Sequence, residues 1–337
     1  RFAGTARYGL SSEKFHEKLH VNVPIRSNNF AFGGGSEVLD LNNMGTISQL
    51  GNTINSLIYV RSYLKLYERR FVEISLGRRL AGGLQGWASL NWAKRTSLFN
   101  STNYKWRDES DIAFTSNNPF SPTLDVPLFP ENQALKGELR ISYNFSNKYV
   151  TYPSGRYYQA SKYPTVGLTY SKGFDGILES DVDYDLVSVD VSKADIPLGL
   201  YGRTSFYLSA GTFLNNNKLF YTDFRHFAGN QTRAFVPRRN GFLVLPYYLI
   251  STPDRYFEGH LEHNFSGFIL NKVPLIRKLK LQELAAFNYL STPALPRYSE
   301  FAVGLGHMLG LKVLYAFSYS EGKKSDSGLK IAYTIGL

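Results

Sequence analysis

The sequence predicts an all-β protein, a transmembrane antiparallel β-barrel of the bacterial outer-membrane type. Three observations predict it. Apolar and polar residues alternate with period two along most of the chain. The alternating segments run to about 10–13 residues, which suits a tilted membrane crossing better than a soluble sheet, whose strands average about 5–6. Tyr and Trp gather at segment ends, at Tyr8, Trp92, Trp106, Tyr163, Tyr289 and Tyr298, as an interfacial aromatic girdle requires.

The last segment shows the pattern most clearly. Leu329, Ile331, Tyr333, Ile335 and Leu337 fall on one face, and Lys330, Ala332, Thr334 and Gly336 on the other. Leu311, Val313, Tyr315 and Phe317 oppose Lys312, Ala316 and Ser318. Phe257, Leu261 and Phe265 oppose Glu258, His260 and Glu262. Leu139, Ile141, Tyr143 and Phe145 oppose Glu138, Arg140, Ser142 and Asn144, and Phe15, Leu19, Val21 and Val23 oppose His16, Lys18, His20 and Asn22. Strands are expected near 2–10, 14–24, 31–40, 67–79, 83–96, 134–146, 163–174, 180–193, 199–213, 254–266, 279–291, 297–308, 311–321 and 327–337, about 14 in all. The face formed by Val182, Tyr184 and Leu186 hands over to Val187, Val189 and Val191, which predicts a bulge. Residues 53–66 fit a helix capped by Thr53 as well as a strand.

Composition narrows the class. Aromatics reach 15% and Cys is absent, which excludes a disulfide scaffold and a thiolate metal site. No apolar run approaches the roughly 18 residues a transmembrane helix needs. The net charge of +11 is spread along the chain, so a basic lumen and basic loops explain it without nucleic acid. The chain opens on Arg1 rather than Met, and an N-terminal periplasmic part is expected upstream.

With the C-terminus in the periplasm, Ala81, Gly82 and Gly83, and the stretch near Gly310, become short periplasmic turns. Residues 97–133 and 213–253 become long loops on the extracellular side or in the lumen of a barrel spanning 1–337. Residues 267–278, with Ile269, Val273, Ile276, Arg277 and Lys278, suit a short interfacial helix on the periplasmic side. Residues 97–133 are rich in apolar and Pro residues, fit to cover the barrel or a partner.

Several motifs carry chemistry. Loop 222–241 is too long and polar for a hairpin. Folded into the lumen, it would clamp an Arg against wall carboxylates such as Glu258 and Glu262, because buried charges need partners. Glu258, His260 and Glu262 share a strand face, but zinc would need more convergent His or Cys, and the expectation is a hydrated lumen network without metal or cofactor. Asp181, Asp183 and Asp185 alternate near a loop without an EF-type calcium signature. Asn100, Ser101 and Thr102 form a sequon without meaning in a bacterial loop. No nucleophile elbow, phosphate loop or HExxH occurs, so no enzyme is expected. The terminal segment, with Gly328, Ile331, Tyr333, Ile335 and Leu337, resembles the insertion signal read by the outer-membrane assembly machinery, although Leu337 stands where an aromatic is usual.

The stretches RYGLSSEKF (7–15), NT…SYLKLYERRF (52–71), TSNNPFSP (115–122), SKYPTVGLTYSKG (161–173), HFAGNQT (226–232), LPYYLIST (245–252) and EHNFSGFILNKVPLIRKLKL (262–281) resemble a Bacteroidota outer-membrane family of unknown function, over essentially the whole chain. The resemblance implies a carboxypeptidase-regulatory-like domain ahead of the barrel, and 16 strands if two lie upstream. That family in turn is similar to the BamA and two-partner-secretion insertase superfamily, whose sixth extracellular loop enters the lumen. GNQTRAF (229–235) takes the place of that loop's tip, with Gly229, Asn230, Arg233 and Phe235, and Ala234 replaces the usual Gly. Five strands follow the loop, as in that superfamily. The resemblance implies an accessory or insertase-like component of outer-membrane protein assembly or secretion, with lipid, lipopolysaccharide and other outer-membrane or periplasmic proteins as partners. A passive channel and a structural scaffold docking surface partners are the alternatives.

Overall fold

The computed structural model describes all residues except 102–103, 107–113, 122, 146–148, 153–154, 159–160, 308–309 and 334–337. Fourteen of its strands form one antiparallel sheet in which each strand pairs with its neighbours in the chain. They are β1 (Phe2–Gly9), β2 (Lys14–Ile25), β3 (Asn28–Asp40), β4 (Leu66–Ala81), β5 (Leu84–Ser97), β6 (Asn132–Asn144), β9 (Thr165–Gly173), β10 (Asp183–Pro197), β11 (Arg203–Lys218), β12 (Tyr256–Asn264), β13 (Leu281–Ser291), β14 (Tyr298–His307), β15 (Leu311–Ser320) and β16 (Lys323–Tyr333). A separate hairpin, β7 (Tyr149–Tyr152) and β8 (Gly155–Tyr158), sits between β6 and β9. Among the described residues β1 and β16 share no ladder with each other.

All 14 expected segments are strands of this sheet, but their ends shift. The ninth runs to Lys218 instead of 213, so the long loop after it spans 219–255 rather than 213–253. The last strand begins at Lys323, and Ile335 and Leu337 lie outside the described residues. The bulge expected within β10 lies in its partner instead: the β10–β11 register shifts on both sides of Asp185 by extra residues of β11, while β10 keeps an unbroken register with β9 from Tyr184 to Ser192. Plain alternation into and along β10 puts Val182 and Tyr184 inward, both buried, and Val189 outward, where it is exposed.

Period-two alternation explains the layering. Val72, Ile74, Leu139, Ile141, Val303, Leu305, Leu329 and Ile331 are all exposed on the convex face. A face this apolar in water would be penalised; solvated by lipid it is favourable. The buried side chains lie inside the curled sheet, where Phe227, Phe242 and Leu245 of the long loop pack against Tyr256, Leu290 and Tyr298 of the wall. Tyr298 thus corrects the girdle assignment: it is 4% exposed and its hydroxyl donates to Glu300 at 2.8 Å.

Two local expectations change. Helix α1 (Gln49–Tyr59) is capped by Ser48, whose side chain accepts from the Gly51 N–H at 3.1 Å, whereas Thr53 lies inside it and bonds back to the Gln49 carbonyl. The interfacial helix at 267–278 is two short 3₁₀ turns, Leu270–Lys272 and Ile276–Leu279. Pro274 between them has no N–H to donate and disfavours helical backbone just before it. Gly82 and Gly83 make the β4–β5 turn at φ +56° and +90°, where side chains are rarely tolerated.

Candidate functional site

The loop 219–255 fills the lumen, and its polar contacts reach around the wall. Asn42, just after β3, donates its amide to the Phe227 carbonyl at 2.8 Å and the Tyr247 carbonyl at 2.5 Å. Arg95 of β5 bonds Asp223 at 2.6 Å, and Lys136 of β6 reaches the same carboxylate at 3.2 Å. Arg225 pairs with Glu258 of β12. Glu300 of β14 accepts the Leu243 and Val244 N–H groups at 2.6 and 2.9 Å. One plug touching strands so far apart in the chain requires the sheet to wrap around it.

Each contact follows from burial. The side chains of Arg95 and Asp223 are 2% and 0% exposed, so neither charge could remain without the other. Burial alone would raise the Asp223 carboxyl, but the charges of Arg95 and Lys136 overcome it and hold the group at about 2. Arg225 lies 4.8 Å over the Tyr256 ring, which adds a cation–π contact to its ion pair. Glu300 also accepts from Asn288 at 3.0 Å and from Tyr298, so four donors converge on one buried carboxylate. Replacing Glu300 with alanine orphans two loop N–H groups and is expected to cost about 2–4 kcal/mol. The urea midpoint of the folded barrel in micelles measures it; a loss below about 1 kcal/mol would contradict this account.

The predicted tip residues have mixed places. Gly229 packs so closely that a Cβ there would lie 2.4 Å from the Leu245 carbonyl oxygen. The Asn230 amide donates to the Thr232 and Leu243 carbonyls at 2.9 and 3.2 Å and folds the tip on itself. Arg233 is exposed and is not the clamp: the arginine that reaches Glu258 is Arg225. The other expected carboxylate is corrected too, because Glu262 pairs with Lys312 of β15 at 2.8 Å and not with the loop. Arg233, Ala234 and Phe235 instead run beside β16. The Ile331 N–H donates to the Arg233 carbonyl at 2.8 Å, and the Phe235 N–H donates to the Ile331 carbonyl at 3.0 Å. Ala234 and Ile331 form a parallel bridge, and buried Lys330 secures the tip by donating to the Thr232 carbonyl at 2.9 Å. Gly328, Ile331 and Tyr333 of the terminal segment are strand residues of β16, with Ile331 and Tyr333 on the lipid-type face.

His260 does not join Glu258 and Glu262 in a metal cluster. Its Nδ1 lies 3.0 Å from the Asn288 amide oxygen, and among the described residues no group of three or more His, Asp or Glu could hold a metal ion. A cavity of 210 Å³ remains beneath the tip, lined by Phe235, Arg238, Phe242, His260, Glu262 and Lys312 among others. A wider one of 800 Å³, beside Asn29, Trp87, Arg140 and Ser142, opens at the short-turn end of β2–β6.

Among solved structures, the chain is similar to BamA from Haemophilus ducreyi lacking POTRA domains 1–3, at 11% identity, covering 94% of this chain and 60% of that one with a TM-score of 0.49. CdiB from Acinetobacter baumannii matches at 12% identity over 96% of this chain and 51% of that one, with a TM-score of 0.47. The Pseudomonas putida toluene transporter TodX matches at 10% identity over 94% and 80% of the two chains, with a TM-score of 0.29. The chain therefore spans about half to three fifths of the first two of these proteins. No curated protein matched the sequence. Residues 1–305 match the family described as "Family of unknown function (DUF5686) C-terminal domain", and the chain belongs to that family.

Proposed function

We propose that this chain is a bacterial outer-membrane barrel that works in the assembly or secretion of other outer-membrane proteins, as an insertase-like barrel or an accessory subunit. Its short-turn end faces the periplasm in this reading. One observation carries it: the outer backbone edge of β16 holds an extended segment of the chain's own loop at Ile331. A strand edge that pairs with its own loop has the geometry to pair with a strand from another chain once the loop moves aside.

The test uses a cysteine pair, A234C with I331C, in a chain that has no other cysteine. Oxidation should lock the tip to the edge, block capture of client strands by a photo-cross-linker at Leu329, and be reversed by reductant. Undiminished client cross-linking in the locked form, or none in the reduced form, would sink the reading. The passive-channel alternative has less support, because the plug is tied to the wall by buried ion pairs. The purified barrel is expected to pass little current in planar bilayers, and deletion of residues 222–252 should raise its conductance at least tenfold. A high conductance with the plug intact would favour the channel.

A further inference from the structure

The connections at the short-turn end of β10–β13 form a second surface that the strand-edge reading does not use. On β13, Leu284 and Leu290 point inward and are buried, so Glu283 faces outward by alternation. The Glu283 carboxylate accepts the N–H groups of Ile269 and Leu270, the first at 3.1 Å. The β12–β13 connection is therefore folded onto the outer face of the barrel and not into the lumen. His263 on β12 ties in the neighbouring connection: one ring nitrogen lies 2.9 Å from the Tyr201 carbonyl and the other 2.7 Å from the Thr204 hydroxyl. The Tyr201 and Phe268 rings then pack 5.4 Å apart.

The result is a single apolar foot. Leu200 and Leu275 are 86% and 79% exposed, and Leu198, Ile269, Val273 and Leu279 are exposed around them. Lys272, Arg277, Lys278 and Lys280 are interspersed, and 198–202 and 268–280 contain no acidic residue. Among the described residues none of these four cations has a salt-bridge partner, although Lys272 lies 4.2 Å over the Phe268 ring. In water such a surface would be costly. Leu208 and Leu261 extend it up the barrel wall as exposed apolar positions, so it continues the lipid-facing strip. Exposed leucines, an aromatic pair and charges of one sign, placed at the rim of that strip, are the makings of an interfacial membrane anchor.

We propose that this foot seats in the headgroup layer of anionic phospholipids, with its leucines among the upper acyl carbons and its four cations on phosphodiester oxygens. The proposal rests on the orientation given above, with this end toward the phospholipid leaflet, but not on strand addition at β16. Each basic residue near an anionic lipid surface adds roughly fivefold to affinity at low salt.

The test places an indole at position 275 by Leu275→Trp and reconstitutes the whole barrel in lipid nanodiscs. These contain phosphatidylethanolamine with phosphatidylglycerol, one of the two brominated at equal mole fraction. The unsubstituted barrel corrects for the three native tryptophans. Bromine on phosphatidylglycerol is expected to quench the new indole about threefold more than bromine on phosphatidylethanolamine, with the difference lost in high salt. K272Q/R277Q/K278Q/K280Q should bring the ratio close to one while leaving the barrel folded, as judged by its heat-modifiable gel mobility. Equal quenching in the parent would overturn the proposal, and so would an absence of quenching by either lipid. In the latter case a photo-cross-linker at position 275 that captures a protein would assign the surface to a protein partner. Because client cross-linking at Leu329 is measured separately, failure of one proposal leaves the other standing.

Discussion

Replacing Arg225 with methionine is expected to destabilise the folded barrel by about 3–5 kcal/mol, because it leaves a carboxylate stranded in the lumen. The Glu258 side chain is 0% exposed and its second oxygen has no hydrogen-bond partner among the described residues. His260 stands 3.8 Å away, too far to replace a direct bond. Methionine keeps much of the packing against Phe227 and Tyr256, so the loss reads out charge rather than volume. The partner variant separates the two. R225M with E258L removes both charges and should recover most of the loss, because replacing a buried pair with apolar groups is often neutral. Arg225→Lys should fall between, since an ammonium keeps the charge but not the planar stacking. Urea midpoints of the four proteins in the same micelles decide it. A single variant within 1 kcal/mol of the parent, or a double variant no better than the single one, would show that the pair does not hold the plug.

This pair also shows where sequence reading stops. That some arginine of the loop would meet Glu258 follows from buried charge needing a partner, and from the inward position of Glu258 on an alternating strand. Which arginine does so does not follow. Residues 222–241 hold Arg225, Arg233, Arg238 and Arg239, and nothing local distinguishes them. Arg225 is selected by the fixed turn before it, where the Asp223 N–H bonds the Phe220 carbonyl and Arg95 anchors the Asp223 carboxylate. Arg95 and Asp223 are separated by 128 positions, and only the curling of the sheet around the loop brings them together.

The strands were legible because a lipid-facing sheet imposes period two on every segment, and β10 keeps it past the bulge that β11 makes opposite Asp185. The ends of the strands were less so. At the long-loop end β11 continues through Asn215, Asn216 and Asn217, polar residues that a periodicity argument assigns to a loop. They stay in the strand because their partners are polar as well: the Asn215 and Asn217 amides donate to the Asp183 carboxylate at 2.7 and 2.9 Å. Glu300 could have been singled out as the inward acid of β14, between Tyr298 and Ala302 on the same face. Its role as acceptor for two backbone N–H groups could not, because those donors belong to a loop with no periodicity. The foot at 268–280 was legible as an amphipathic stretch, while its fold onto the outer wall depends on Glu283 and His263, one strand away on either side.

Acid is expected to loosen the plug in two successive steps, and the first is due to His226. The residue is 0% exposed, with one ring nitrogen 2.6 Å from the Ser251 hydroxyl and the ring 5.0 Å from that of Tyr221. Burial, assisted by the positive charges of Arg225 and Lys136 and opposed by the Tyr221 backbone and Asp223, pushes the imidazole down to about 3. The unfolded value is about 6.5, so the folded state binds the proton less readily than the unfolded one. His226 therefore stabilises the fold fully above pH 6.5, and that contribution is lost as pH falls toward 3. At pH 4.5 the loss is about 3 kcal/mol, from two units at about 1.4 kcal/mol each. Asp223 has the same sign and a lower window: its carboxyl is depressed to about 2, so its contribution is present above about 4 and lost between there and 2. The urea midpoint should thus fall steadily from pH 7 to pH 4.5, before structural carboxylates protonate. His226→Gln keeps a side chain that can bond Ser251 but cannot titrate, and should flatten the curve over that interval while D223N leaves the slope there unchanged. If the glutamine variant retains the parent's slope, the histidine is not the group responsible. If the slope belongs to His226 and the conductance of the intact barrel rises over the same interval, the plug is what the proton releases, and the tip's hold on β16 would weaken with it.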